Sequence, residues 1–124
     1  MKAVLQARAD VKATLKAAGL PTVFPDEAAP SGAGPYGVVT VISAPPEADW
    51  GGEWAADTRV QLDVWALSAV ASAAALPADT ARLALEGAGW QRVPSGAPPL
   101  SFEGERDAQG RVWHRASMDF RRLT

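Results

Sequence analysis

Hydrophobic and polar positions alternate strictly over residues 58–66, where Val60, Leu62, Val64 and Ala66 interleave with Arg59, Gln61, Asp63 and Trp65. A period of two over this length predicts a strand with one buried face. The alternation returns over residues 111–122. Val112, His114, Ala116, Met118 and Phe120 share one side there, and Trp113, Arg115, Ser117, Asp119 and Arg121 the other. Residues 36–43 are β-branched and apolar on both sides, with Val38, Thr40 and Ile42 against Val39 and Val41, which predicts a central strand. Short strands are predicted at 22–24, as an edge before Pro25, and at 90–93 and 100–106, with a hairpin turn at Asp107-Ala-Gln-Gly110.

Two stretches carry the helical period instead. Over residues 2–18, Val4, Ala7, Val11, Leu15 and Ala18 fall on one face, and Gly19 with Pro21 ends the helix. Over residues 69–87, Val70, Ala74, Ala81, Leu85 and Ala88 fall near one face. Ser68 is placed to cap this second helix, Pro77 to kink or split it, and Asp79 to cap its second part. A half-buried strand feeding a helix is one unit of a sheet covered by helices. The elements therefore predict one α+β domain, a single mixed or antiparallel sheet with two main helices packed on one face. No internal repeat is apparent.

Two loops stand out. Residues 26–37 contain Gly32-Ala-Gly34-Pro-Tyr-Gly37, a match to the dinucleotide pattern G-x-G-x-x-G. That motif needs a strand before it and a helix after it. Here a loop precedes and a β-branched run follows, so the glycines are assigned to turns and no cofactor is expected. Residues 44–56, APPEADWGGEWAA, hold Glu47, Asp49 and Glu53 with Trp50 and Trp54. Tryptophan on an acidic loop fits an interface hot spot; the competing reading has the indoles fold back over a sheet edge. Trp65 and Trp113 pose the same choice. Each sits among charges on the polar side of its strand, and if the two strands are neighbours that side is a contact surface. Alternatively each indole lies over the aliphatic parts of nearby arginines.

The chain of 124 residues has the length of one domain, with 48% hydrophobic and 21% charged residues. It has no cysteine and a single histidine, which excludes disulfides, thiolate metal sites and sites needing two imidazoles. No apolar run is long enough to span a bilayer, and the N-terminal stretch, with Lys2, Arg8, Asp10 and Lys12, lacks the apolar core of a signal peptide. Synthesis in the cytoplasm is the expectation. The net charge of -2 hides a split. Residues 17–58 carry no Lys or Arg but six acids; from Arg106 onward five arginines face two aspartates. Either complementary patches drive self-association, or the fold mixes the two regions on one surface. The balance does not fit a nucleic-acid binder.

Ser117, His114 and Asp119 are close in sequence, but His114 lies on the opposite side of its strand from the other two, so they form no triad. The carboxylates show no metal-ligand spacing. No enzyme is indicated.

The segments VFPDEAAP and PYGVVTVIS, the acidic loop, TRVQLDVWALS with its Ala-rich helix, and the late DAQGRVWHRASMDFRRL strand follow one another in an order that resembles the tail terminator (tail completion) proteins of long-tailed bacteriophages and gene transfer agents, the lambda tail terminator among them. The resemblance covers nearly the whole chain. It implies a structural virion protein with no catalytic residues. It would form a homo-hexameric ring on the finished tail tube, stop tube polymerisation and offer the head-side connector a docking surface. The implied partners are other copies of the chain, the tail tube protein and the connector or stopper, with DNA only transiting the lumen and no membrane. The implied location is the head-tail junction of the virion. The loop at 44–57 corresponds to the family's projecting loop. Glu47, Asp49, Trp50, Glu53, Trp54, Trp65, Trp113, Arg115 and Arg121 are then the expected interface residues. Acids lining the lumen, where they would repel DNA phosphates, are the competing assignment. Another head-tail connector, or a small ligand-binding α+β domain, is the alternative.

Overall fold

In chain order the elements of the computed structural model are α1 (Lys2–Ala17), β1 (Thr22–Val23), β2 (Tyr36–Ser43), β3 (Asp57–Ser68), α2 (Ala75–Gly87), β4 (Gln91–Val93), β5 (Leu100–Glu103) and β6 (Val112–Leu123). The residues described are 2–30, 32, 34–43, 57–70, 72–93 and 100–123. β3 and β6, 12 residues each, pair antiparallel without a break, from Asp57 opposite Leu123 to Ser68 opposite Val112. β2 pairs antiparallel with the other side of β3, and β1 adds a short parallel edge at Gly37 and Val38. β4 and β5 both pair antiparallel with the far side of β6, β4 at residues 119–121 and β5 at 113–116, so they share one edge position end to end. The result is a single six-stranded mixed sheet.

An unbroken register preserves the two-residue alternation across both long strands. Thr58, Val60, Leu62, Val64 and Ala66 of β3 and Val112, His114, Ala116, Met118 and Phe120 of β6 are all buried on one face. Both helices cover that face. Ala7, Val11 and Leu15 of α1 and Ala78, Ala81 and Leu85 of α2 join Val39 and the β3 and β6 residues in one core. Small alanines let each helix axis approach the sheet closely.

Both helices end alike. Gly19 (φ 87°) and Gly89 (φ 94°) adopt the left-handed conformation that side chains disfavour. Gly19 N–H donates to the Lys16 carbonyl (3.0 Å) and Leu20 N–H to that of Leu15 (2.9 Å); Gly89 N–H donates to Glu86 (3.1 Å) and Trp90 N–H to Leu85 (3.0 Å). The next residue is buried each time, Leu20 or Trp90, and an edge strand begins. LKAAGLPTV at 15–23 and LEGAGWQRV at 85–93 thus form a local structural echo, although no repeat was expected. Gly37 serves a third purpose. A Cβ there would stand 3.1 Å from Leu62 Cδ1, so this last glycine of the G-x-G-x-x-G match makes room inside β2 and is not a turn residue.

The second helix differs from expectation at its start. Ser68 closes β3, and its Oγ accepts the Val70 N–H (3.0 Å) without capping a helix. Val70 is 61% exposed. α2 begins at Ala75, behind Ala74, so Pro77 lies in the first turn. N–H groups there have no intrahelical acceptor, and proline interrupts nothing. Asp79 lies within the helix and pairs with Arg82 (2.7 Å). Trp90 precedes β4 and points into the core. The hairpin turn is as expected: the Asp107 carboxylate accepts the Arg111 and Gln109 N–H groups (2.8 and 2.9 Å), and the Arg111 backbone bond foremost holds it below the usual carboxylate range.

The charge split is partly consumed inside the molecule. Asp26 and Glu27 face Arg8 (3.4 Å) and Lys12 (3.6 Å) of α1, and Arg111 pairs with Asp107 (2.9 Å). Arg122 reaches from β6 to Asp10 of α1 (2.6 Å) while its guanidinium lies 4.4 Å from the Trp90 ring centre. One cation thereby ties the last strand to both helical units. The Arg122 hydrogen bond is the main cause of a lowered Asp10 pKa. A depressed carboxylate pKa stabilises the fold above its unfolded value, and that contribution is lost as pH falls through the folded value. Asp10→Asn is expected to cost about 1 kcal/mol at pH 7 for a partly exposed pair. Urea unfolding should show the gap between variant and parent closing as pH falls below about 3.8.

Candidate functional site

Among the described residues no helix covers the second face of the sheet. The unbroken β3–β6 register sorts this face into rows. Leu67 stands opposite Trp113, Trp65 opposite Arg115, Asp63 opposite Ser117, Gln61 opposite Asp119 and Arg59 opposite Arg121. β2 extends the rows with Tyr36 beside Trp65, Val38 beside Asp63 and Thr40 beside Gln61. Trp65, Trp113, Arg115 and Arg121, drawn from strands far apart in sequence, therefore occupy one surface, as their alternation required if the strands were neighbours. Glu47, Asp49, Trp50, Glu53 and Trp54 lie outside the described residues.

The face has two ends of different character. At one end Tyr36 and Trp113 meet edge to face, with ring centres 5.5 Å apart and planes at 76°. The Arg115 guanidinium sits 5.5 Å from the Trp65 ring centre, within cation–π range. Trp65 is thus partly covered by arginine, as the snorkelling alternative holds, whereas Trp113 is covered by Tyr36. Both indoles stay half-buried. At the other end exposed Arg59 faces Arg121 directly across the ladder. Between the ends, Ser117 Oγ donates to Asp63 Oδ1 (2.5 Å), and Gln61 Nε2 donates to the same carboxylate (3.3 Å).

Ser117 has its partner in Asp63 on the neighbouring strand. His114 is buried on the opposite, helix-covered face, with Nε2 donating to the Ser68 carbonyl (3.0 Å). Among the described residues no cluster of three or more His, Asp or Glu could hold a metal ion. Sequence reasoning passed over Tyr36 and the Asp63–Ser117 pair. A signal existed for Tyr36, which begins the β-branched run two residues ahead of Val38 and so shares its side.

The family model described as Tail completion protein gp17 matches residues 1–124. A search of curated proteins finds no match. The chain belongs to the gp17 family of tail completion proteins, and its role is structural, in the tail of a bacteriophage.

Burial raises the Tyr36 pKa above the ordinary phenol value. Tyr36 is the only tyrosine in the chain, so phenolate absorbance reports it alone. Trp113→Ala is expected to open Tyr36 to water and bring its titration midpoint down toward 10.0. An unmoved midpoint in a folded variant would show that Trp113 does not shield it.

Proposed function

We propose that this tail completion protein ends the tail tube. Copies of the chain assemble into a hexameric ring on the finished tube, stop its polymerisation and present a surface to the head-side connector, acting by stoichiometric assembly without chemistry. The observation that carries this reading is the sheet face over which no described helix lies, where Trp65, Trp113 and Arg115 cluster at one end and Arg59 and Arg121 at the other. Half-buried aromatics and arginines on a face without a helix are the composition of a protein-binding surface. A ring requires two different patches on each subunit. The acidic, tryptophan-bearing segment with Glu47, Asp49, Trp50, Glu53 and Trp54 supplies the second. Membership of a tail completion family supports tail proteins as the partners and the virion as the location. No described helix is long and apolar enough to cross a membrane.

Electron microscopy of the protein, alone and mixed with its tube protein, tests the reading. Six-fold rings, free or at one tube end, with tubes of fixed length, are expected; a monomer that leaves tubes bare and growing would overturn it. Arg115→Glu with Arg121→Glu should reduce tube-end occupancy on the order of tenfold, the scale of interface hot spots, with the circular dichroism spectrum unchanged. Trp50→Ala or Trp54→Ala should weaken ring formation or tube docking to a similar extent. Unchanged assembly in both tryptophan variants would remove residues 44–56 from the interface.

A further inference from the structure

Among the described residues the sheet has an edge that is only partly paired. β2 runs for eight residues, but β1 pairs only with Gly37 and Val38. Gly37 N–H donates to the Pro21 carbonyl (2.8 Å), so the backbone groups of Gly37 point away from β3. By strand alternation those of Val39 and Val41 do the same. In this register β1 meets the Val39 N–H, at the Val23 carbonyl, and goes no further. The residue that would donate to the Val39 carbonyl is Pro25, which has no N–H. Among the described residues no strand pairs with this side of β2 beyond the Val39 N–H. Natural edges are guarded by charges, proline or bulges; the stretch YGVVTVIS has neither charge nor proline, and its one irregularity is the register shift between Val41 and Ser43. Ile42 is 49% exposed on it.

The opposite edge of the same sheet fits this gap in direction and level. β2 is antiparallel to β3, β3 to β6 and β6 to β4, so β4 runs opposite to β2. A second copy set beside the first in the same orientation brings the two edges together as an antiparallel pair. The levels agree as well: Ser43 pairs with Arg59, Arg59 with Arg121 and Arg121 with Gln91. The far end of β2 and β4 therefore lie on one row, whereas β1 and β5 occupy the lower rows. Exposed Gln91 and Arg92 stand on β4. We infer that the open stretch of β2 is completed by β4 of a second copy, which continues the sheet from subunit to subunit. This rests on the ring reading above. The contact is heterologous, as the contacts within a ring are, and every copy turns its Trp65–Trp113 face to the same side.

Hydrogen exchange on the wild-type protein, free and assembled on tube ends, tests this without mutation. The Val41 amide is expected to slow by about tenfold or more on assembly, as a newly bonded amide does. Val41→Pro removes that outward N–H and is compatible with an edge strand; it should abolish tube-end caps while circular dichroism stays native. Thr40→Lys, on the exposed side of β2, should lower cap occupancy by adding an edge charge. If Val41→Pro does not fold, the exchange result decides. Rings in which Val41 exchange is unchanged, or full capping by a folded Val41→Pro variant, would overturn the β2–β4 contact and leave the ring standing. Wild-type protein that never assembles, alone or with tubes, would overturn both.

Discussion

The unbroken antiparallel ladder between β3 and β6 is the constraint on which the rest depends. Twelve consecutive pairs leave no bulge at which one strand could change face. A one-residue slip would turn Val60, Leu62 and Val64 to the outside and Arg59, Asp63 and Trp65 into the core. The register therefore decides two surfaces at once. It builds the apolar floor that both helices cover, and it aligns Trp65 with Arg115 and Arg59 with Arg121 on the other side. Folding and the candidate binding face are consequences of the same set of backbone bonds.

The helices are fastened to this floor by their ends as much as by their faces. Each turns through a left-handed glycine, buries the next side chain and delivers an edge strand. The two units sit at opposite borders of the sheet, one at β2 and one at β6. Arg122 joins them by bonding Asp10 of the first helix and stacking on Trp90 after the second. Much of the basic character of the last strand and of the acidic character near Asp26 is neutralised within the subunit. Arg59 and Arg121 share one row of the ladder, Arg115 lies beside Trp65, and Arg92 is exposed on the edge strand β4.

Two polar side chains of β6 are engaged within the subunit. The histidine is bound to a backbone carbonyl beneath the helices, and the serine is engaged by a carboxylate one strand away.

The sequence by itself determined the alternating faces of residues 58–66 and 111–122, the strand at 36–43, the first helix and its glycine stop, and the turn at Asp107. Each follows from periodicity or turn chemistry acting over a few residues. From the same alternation came the placement of Trp65, Trp113, Arg115 and Arg121 on polar sides. Only the tertiary structure decided that those two sides are one surface, because strand neighbours are chosen by the packing of the whole core. It also decided that α2 begins at Ala75, where Pro77 is harmless, although the helical period of residues 69–87 extended further back. Ser117 found its partner in Asp63, Gly37 made space for Leu62, and Pro25 left the edge of β2 open. Each of these depends on which distant backbone lies alongside, and that is settled by burial across the sheet and not by local sequence.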